Sequence, residues 1–402
     1  MLTPTPLDRQ YEIARGDDLR ILVVGAGIAG ITVAQLLRRD GRHPVLVERS
    51  RDEGHPGYML ALMPMVDGAI DDLGIREQYR QDSTPLNWYS IHSSTGRKGR
   101  RDSLARILAR YGDYRGIGRG ELIDVLSVNG CDASFDTTVT AISEQSAATA
   151  VTMRTGHEEV ELDFDLVVVA DGIHSSTRAL ALGNRPVGTV DTGWGGWVVW
   201  APAHTEPDLG AELWGAGFFL GGYPIKGRLG VIIGGPNEET AVGATAFVDG
   251  VRSKLTTIGP LLESMLTAVA TEPDPYYWPL TDCRASEWAV GRTILLGDAA
   301  AGFLPTAGIG AGMAMESAWV LARMLRTAER DSVPSRLGAF EKSQRPRVET
   351  AQQTSRRLAA LMFRRSRVLA VIRDLAMKVM SVEAALKPIQ RLLADRPELD
   401  TV

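Results

Sequence analysis

Three glycines and one acidic residue within the first 50 positions have the types and spacing of a dinucleotide-binding turn. Gly25, Gly27 and Gly30 form a G-x-G-x-x-G pattern, and Glu48 follows the next apolar run. The first glycine permits a tight bend, the second lets the backbone approach a pyrophosphate, and the third lets helix and strand pack closely. The free N–H groups and the dipole at the N-terminus of the following helix favour the binding of phosphate. The Glu48 carboxylate can accept hydrogen bonds from the hydroxyls of a ribose. The alternative is a glycine-rich turn that binds nothing.

The flanking residues predict the elements that such a turn requires. Residues 20–24 are an apolar run that is typical of a buried parallel strand, and residues 28–39 have a helical pattern that stops before Gly41. Residues 44–47 predict a second buried strand. This strand–helix–strand unit has the usual size of about 30 residues. It binds NAD in some proteins and FAD in others, so the unit alone leaves the cofactor open.

Two later apolar runs, 162–170 and 293–296, predict further buried strands that end at Asp171-Gly172 and Gly297-Asp298. Other patterns predict antiparallel strands at 138–142 and 150–154, a hairpin of 218–223 with 228–233, and helices over 310–393 with a break at 331–334. We therefore expect an α/β protein with the following parts: a loose N-terminal arm (1–19), a nucleotide-binding domain (20–182, with some substrate-domain insertions), a substrate-binding β-sheet domain (183–290), a return to the first domain (291–330) and a C-terminal helical region (331–402).

Composition excludes several classes of protein. The 402 residues are 44% hydrophobic, and the net charge of −5 argues against nucleic-acid binding. No apolar run is long enough to span a membrane, and the first twenty residues lack a secretory leader, so we expect a cytoplasmic protein. Cys131 and Cys283 lack metal-ligand spacing, and the six histidines are scattered, so we expect no metal site and identify no catalytic triad.

Further motifs resemble those of the group A FAD-dependent monooxygenases, the para-hydroxybenzoate hydroxylase-like family. Residues 119–126 (RGELIDVL) match its Arg-x-x-Leu-x-x-x-Leu helix, and residues 167–178 (VVVADGIHSSTR) resemble its Asp-Gly motif. Residues 295–315 (LLGDAAAGFLPTAGIGAGMAM) resemble its Gly-Asp motif, with the downstream proline and glycine-rich helix start. The motifs occur in family order and cover nearly the whole chain. The resemblance implies FAD, a Rossmann-like FAD-binding domain, a mixed β-sheet substrate domain and C-terminal helices.

The resemblance also implies roles for side chains. Asp298 would accept a hydrogen bond from a ribityl hydroxyl, Arg119 would pair with the phosphates, and Asp171-Gly172 would serve the pyrophosphate and NAD(P)H. Backbone N–H groups after Pro305 would face the N1–C2 carbonyl edge of the flavin, where they stabilise the anionic reduced form. The alternatives are a turn cap for each aspartate, an ion pair of Arg119 with Glu121 or Asp124, and a plain helix start. The implied cofactor contacts are Gly25, Gly27, Ile28, Ala29, Gly30, Glu48, Arg49, Arg119, Val139, Asp171, Gly172, Gly297, Asp298, Pro305, Gly308, Gly310, Ala311, Gly312 and Met313.

One position departs from the family pattern. The family usually reads Gly-Asp-Ala-Ala-His, whereas Ala301 occupies the fifth position here. No titratable group stands at this position, so a role for that histidine near the flavin cannot be carried over. FAD binding does not depend on it.

Aromatic residues concentrate between positions 194 and 223, and we predict that Trp200, Trp214, Phe218 and Tyr223 line a substrate pocket. Core packing is the alternative for each of them. As a group they indicate a bulky, apolar substrate. The basic stretch 356–378 could contact an anionic membrane or a carrier protein, but we favour a packed helix with a solvated basic face.

The predicted function is hydroxylation or epoxidation of a lipophilic or aromatic molecule, with NAD(P)H as electron donor and dioxygen as co-substrate. We expect a role in secondary-metabolite biosynthesis, such as that of a polyketide antibiotic, and a monomer or homodimer. One alternative is a redox-neutral cyclase of the same fold, catalysing for example a [4+2] cyclisation, in which FAD is a structural scaffold. A halogenase is less favoured because residues 194–200 (WGGWVVW) lack a Trp-x-Trp-x-Ile-Pro signature. A non-catalytic flavin-binding module is the remaining alternative.

Overall fold

The computed structural model describes residues 1–51, 57–379 and 381–397. Its helices are α1 (Leu7–Ala14), α2 (Ile28–Arg39), α3 (Asp67–Leu73), α4 (Arg76–Asp82), α5 (Leu104–Leu108), α6 (Arg119–Leu126), α7 (Thr177–Leu182), α8 (Asn237–Thr240), α9 (Ala244–Lys254), α10 (Pro260–Thr271), α11 (Gly310–Leu325), α12 (Val333–Met362), α13 (Arg367–Val379) and α14 (Val382–Ala394).

The strands are β1 (Leu2–Pro4), β2 (Ile21–Val24), β3 (Val45–Val47), β4 (Met59–Leu62), β5 (Thr84–Pro85), β6 (Trp88–His92), β7 (Lys98–Ser103), β8 (Arg115–Gly118), β9 (Cys131–Ala133), β10 (Thr137–Glu144), β11 (Thr149–Thr155), β12 (Glu158–Phe164), β13 (Leu166–Val169), β14 (Val187–Pro202), β15 (Leu209–Trp214), β16 (Phe219–Ile225), β17 (Arg228–Pro236), β18 (Tyr276–Ala285), β19 (Ala289–Val290), β20 (Thr293–Leu295) and β21 (Ala301–Gly302).

A five-stranded sheet in the order β19-β20-β13-β2-β3 forms the Rossmann-like half of the molecule. Strands β3, β2, β13 and β20 run parallel, and β19 is an antiparallel edge strand. The predicted β2–α2–β3 unit is present. Since parallel strands end at the same edge of a sheet, the segments that follow β2, β13 and β20 meet there. The glycine turn, Asp171-Gly172 and Gly297-Asp298 are those segments, so the fold brings the three predicted motifs together.

An eight-stranded mixed sheet in the order β21-β18-β14-β17-β16-β15-β6-β7 forms the second half. The predicted hairpin is the β16–β17 pair, with Gly227 at its turn at a φ of 75°. One face of this sheet packs on α9 and α10 through a core that includes Leu213, Leu220 and Val231. Strands β6 and β7, which precede residue 183 in the chain, also belong to this sheet.

The N-terminal residues are part of the fold, so the expectation of a loose arm is wrong. β1 pairs in parallel with β9, and α1 buries Leu7, Gln10 and Ala14 on one side. The Gln10 carboxamide accepts a 3.0 Å hydrogen bond from the Leu46 N–H and donates to the Leu46 carbonyl. These contacts fix the arm against β3.

Two predicted boundaries differ from the structure. The run 162–170 contains two strands, because residues 162–164 belong to β12 in the three-stranded sheet β10-β11-β12 and only β13 is a parallel strand. The helical break runs from residue 326 to residue 332, so it begins earlier than predicted and overlaps only the first half of 331–334. Pro334 stands in the first turn of α12, where a missing N–H costs nothing.

From sequence we favoured a packed helix with a solvated basic face for residues 356–378. Helix α13 instead exposes apolar side chains and buries a basic one. Its outward side chains are apolar, with Val368 at 69%, Val371 at 61% and Leu375 at 63% exposure. Arg373 is buried, and its guanidinium donates to the carbonyls of Trp214 and Met362. The described residues contain no helix that is long and apolar enough to cross a membrane.

Candidate active site

A cavity of about 620 Å³ lies between the two large sheets. Its wall combines residues 27–29 of the glycine turn with Asp298 and residues 303–308. The same wall includes aromatic side chains of the eight-stranded sheet, among them Trp214 and Tyr223. The cavity therefore joins the predicted cofactor motifs to the predicted substrate domain.

The three glycines of the turn have different surroundings. Gly25 has a φ of 99°, and a Cβ atom on it would lie 2.7 Å from the Ala170 carbonyl oxygen. A Cβ on Gly30 would lie 1.9 Å from the Gly25 carbonyl oxygen. A Cβ on Gly27 would meet no atom of the described residues within 4 Å, and Gly27 lines the cavity. The fold itself requires the first and third glycines, whereas the second leaves space that a phosphate can occupy.

Two of the predicted acids are held by backbone donors at the end of the sheet. The Glu48 carboxylate accepts hydrogen bonds from the N–H groups of Ala26 (2.8 Å) and Ser50 (2.9 Å), so it braces the glycine turn. Asp171 Oδ2 accepts from the Thr177 N–H at 3.3 Å. Asp171 Oδ1 is buried and has no hydrogen-bond partner among the described residues. A buried acceptor without a donor is a position where a bound ligand can supply one.

Asp298 follows β20, and its carboxylate surface is open to the cavity. The crowding of protein atoms around it disfavours the charged form and raises its pKa to about 6. Burial also raises the pKa of the neighbouring Tyr58 to about 12, with a smaller contribution from the negative charge of Asp298. A hydroxyl donor from a ligand would stabilise the charged carboxylate of Asp298, so this side chain fits the predicted contact with a ribityl group.

Arg119 lies at the start of α6 and lines the cavity. Its backbone N–H donates to the Tyr58 carbonyl at 2.9 Å, and its side chain hydrogen-bonds the Tyr58 hydroxyl. The ion pair that was the alternative does not form, because Glu121 pairs with Arg228 instead. The guanidinium can therefore meet an anionic ligand.

The start of α11 presents backbone donors to the cavity. Pro305, Gly308, Gly310 and Ala311 line the wall, and Gly308 has a φ of 61°. The first helical hydrogen bond runs from the Met313 N–H to the Ile309 carbonyl, which leaves the earlier N–H groups without helical acceptors. These N–H groups and the helix dipole suit the electron-rich edge of a flavin.

Of the predicted cofactor contacts, Gly27, Ile28, Ala29, Arg119, Gly172, Asp298, Pro305, Gly308, Gly310 and Ala311 line the cavity. The others lie behind this first layer or outside it: Gly25, Gly30, Glu48, Arg49, Val139, Asp171, Gly297, Gly312 and Met313. Arg49 is exposed, whereas Val139 and Met313 are core residues. Contact of either group with a cofactor stays a prediction.

The predicted substrate residues divide between the two faces of the sheet. Trp214 and Tyr223 line the cavity, and so does Phe219, which belongs to the same aromatic cluster but is not one of the four predicted pocket residues. Phe218 does not line it, because it packs in the core on the opposite face with Leu213 and Leu220. Trp200 is also absent from the cavity wall, and its ring lies 3.9 Å beneath the Arg228 guanidinium.

Glu212 is a buried carboxylate in the cavity wall that sequence reasoning missed. It accepts hydrogen bonds from the Tyr223 hydroxyl, from Trp214 Nε1 (2.7 Å) and from the Tyr89 hydroxyl. Burial raises its pKa, and these hydrogen bonds oppose the rise only in part. An acid within a run of apolar strand residues, two positions before a tryptophan, was the available signal.

Two further residues explain how the loops of the site are arranged. Ala301 is 1% exposed and pairs with Arg284 across β21 and β18, so its position is filled by backbone packing. The Arg178 guanidinium donates to the carbonyls of Ile173 (2.9 Å) and Ala299 (3.1 Å). Arg178 therefore ties the Asp-Gly loop to the Gly-Asp loop and acts within the protein.

Comparison with known proteins gives the same cofactor. The FAD binding domain family matches residues 18–209 and 267–355. A 3-amino-4-hydroxybenzoate 2-monooxygenase, PtnB3 of Streptomyces platensis, is 29% identical over 84% of this chain and 87% of its own. A salicylate hydroxylase of Pseudomonas putida is 26% identical over 85% of each.

A solved structure has the same fold. HpxO of Klebsiella pneumoniae, complexed with FAD and uric acid, superposes with a TM-score of 0.83 at 21% identity, covering 94% of this chain and 97% of its own. The family match spans most of the chain, and the motifs of that family lie around one cavity. The chain therefore belongs to the FAD-binding domain family and is an FAD-dependent monooxygenase of the group A type.

Proposed function

We propose that this protein hydroxylates or epoxidises a lipophilic aromatic small molecule, with NAD(P)H as electron donor and dioxygen as co-substrate, in the biosynthesis of a secondary metabolite. The observation that carries the proposal is that Asp298 and aromatic side chains of the eight-stranded sheet line the same cavity. A substrate in contact with those side chains lies beside the space where the family motifs would hold a flavin.

When bound, FAD supplies hydride acceptance and the activation of dioxygen, which no side chain of this protein can provide. The residues of the chain bind and orient it. Gly27 leaves room for the pyrophosphate, Arg119 neutralises phosphate charge, and Asp298 accepts a hydrogen bond from the ribityl chain. The N–H groups at the start of α11 stabilise negative charge at the N1–C2 edge of the ring.

Buried apolar side chains in the cavity wall limit the access of water to the reacting groups. Trp214, Phe219 and Ile232 of the sheet and Leu304 of the loop before α11 are buried apolar side chains that line the cavity. Such a wall favours a bulky, apolar substrate and protects reactive oxygen species from solvent.

The test is stopped-flow mixing of the FAD-loaded protein with NADPH or NADH, with and without candidate aromatic substrates under air. We expect the visible absorbance of the oxidised flavin to bleach faster when substrate is present, and one oxygen atom from labelled dioxygen to enter the product.

The result that would overturn the proposal is turnover of a substrate in the absence of both NAD(P)H and dioxygen. That result would favour the redox-neutral cyclase, in which FAD is a scaffold. Incorporation of halide instead of oxygen would favour the halogenase.

A further inference from the structure

We infer that the cavity binds its substrate through a protonated amine, with Glu212 as the counter-charge and aromatic rings around the ammonium group. The substrate class is an arylalkylamine, that is, an aromatic ring that carries a positively charged aliphatic nitrogen. The inference rests on the proposed function, because it assigns the substrate of the same cavity.

The placement of Glu212 follows from strand geometry. It lies on β15, and side chains two residues apart on a strand share a face, so Glu212 and Trp214 both face the cavity. The neighbouring strands contribute Tyr89 of β6 and Tyr223 of β16 to the same wall. The cross-strand partner of Glu212 is Gly221, which has no side chain, so the Tyr223 ring can lie over it and reach the carboxylate.

Among the residues that the structure describes, no cation lies in the hydrogen-bond shell of Glu212 to compensate its charge. Its donors are the hydroxyls of Tyr223 and Tyr89 and the indole N–H of Trp214, all of which are neutral. Glu212 is 9% exposed, and a buried carboxylate without a counter-charge loses far more hydration energy than neutral donors return. A cationic ligand in the cavity would supply the missing charge.

The rings around Glu212 add a second attraction for the same ligand. Trp214, Tyr223 and Tyr89 line the cavity beside the carboxylate, with Phe219 opposite Trp214 on the adjacent strand. The faces of such rings attract ammonium groups, most strongly when water is excluded. A carboxylate surrounded by aromatic rings therefore favours a cation over a neutral alcohol of the same shape.

The same arrangement disfavours an acid at this position. An anionic substrate would place its charge against Glu212 in a site of low dielectric, where like charges repel strongly. The substrates named for the two relatives above are benzoic acids, so this wall predicts that the present protein has a different substrate class.

The experiment compares tryptamine with tryptophol, two indoles of nearly equal size that carry an ammonium group and a hydroxyl, respectively. Their dissociation constants are measured by calorimetry on the FAD-loaded protein at neutral pH. We expect tryptamine to bind about 10- to 100-fold more tightly, the range for hydrogen bonds to charged groups. Glu212→Gln should remove this preference by weakening the binding of tryptamine. Glu238→Gln, an exposed acid that pairs with Arg365, is the matched control and should retain the preference.

Equal affinity for the two indoles, or weak binding of both, would overturn the inference. So would a preference for tryptamine that survives Glu212→Gln. Glu212→Asp guards against a folding defect, because it keeps the charge and should keep a preference for the amine while the FAD content and melting temperature stay unchanged.

Failure of the proposed function gives a different result. Calorimetry measures binding and needs no turnover. A preference for tryptamine without acceleration of NAD(P)H oxidation by any amine would support the amine site and count against monooxygenation. Oxygenation of neutral aromatics with no preference for amines would do the reverse.

Discussion

Affinity for FAD should depend on pH through Asp298. In the FAD-free protein, the protein atoms around this carboxyl disfavour its charged form, although its surface is open to the cavity, and raise its pKa from 3.8 to about 6. A hydrogen bond from a ribityl hydroxyl would stabilise the charged form and lower the pKa in the complex. Binding below pH 6 must therefore release a proton, and the affinity must fall as the pH falls.

The size of the effect follows from linkage of one proton. With a pKa of about 6 in the free protein and a pKa near the ordinary value in the complex, the dissociation constant should be about tenfold higher at pH 5 than at pH 7. The pH dependence of folding stability has the opposite sign to that of FAD affinity. The raised pKa favours the FAD-free fold at low pH, and this contribution is lost as the pH rises from about 4 to about 6.

The assay is titration of the FAD-free protein with FAD, followed by flavin fluorescence between pH 5 and pH 7. Calorimetry at pH 6 in two buffers of different ionisation enthalpy counts the protons and should find about half a proton released per FAD. Asp298→Asn is the control and should bind FAD with a flat pH profile. Tyr58, with a pKa of about 12, does not titrate in this range. A constant affinity between pH 5 and pH 7, or a slope that persists in Asp298→Asn, would refute the assignment.

The other predictions concern the glycine turn and a buried ion pair. Gly27→Ala should leave the melting temperature of the FAD-free protein unchanged, because its Cβ would extend into the open cavity. The same Cβ should weaken FAD binding at least tenfold (about 1.4 kcal/mol). Gly30→Ala should instead lower the free energy of unfolding of the FAD-free protein by about 1–3 kcal/mol in urea. Equal behaviour of the two variants would contradict these roles. Arg347→Met should lower the free energy of unfolding by about 3–5 kcal/mol in the same assay. The Arg347 guanidinium donates two hydrogen bonds to the Glu316 carboxylate, which is 4% exposed and would be left buried without a counter-charge. Arg365→Met, which breaks an exposed pair, should cost about 0–1 kcal/mol, and a similar cost for both arginines would argue against burial as the cause.

The cofactor half of the site was predictable because its determinants are local. The strand–turn–helix around Gly25 and the strand ends before Asp171 and Asp298 can each be read from a short segment. A parallel sheet then brings such strand ends to one edge, whatever lies between them in sequence. What no segment revealed is that Glu48 hydrogen-bonds the glycine turn, since that contact depends on the exact approach of two loops.

The substrate half was less predictable because strand pattern gives two faces without saying which one meets the cavity. Phe218 and Phe219 are adjacent, and a shift of one residue exchanges core and cavity wall. Both faces of this sheet are apolar, so the sequence shows no polar alternation to choose between them. The role of Glu212 was missed for the same reason. A lone acid in such a strand does not indicate which face it occupies or that three neutral donors hydrogen-bond it.

The five-stranded sheet joins strands that are far apart in sequence, and this constrains how the protein folds during synthesis. The turn at Gly25 packs on Ala170, and Gly297 packs on Ala29, so the phosphate cradle is assembled from three segments that leave the ribosome far apart in time. At typical synthesis rates, roughly 10–50 s separate the emergence of β2 from that of β20. During that interval the apolar strand β2 lacks its β13 and β20 neighbours, and such non-local pairing makes folding slow. We therefore expect FAD to be captured after translation rather than by the nascent chain, and a chain that stops before α11 to accumulate as aggregate rather than as a smaller flavoprotein.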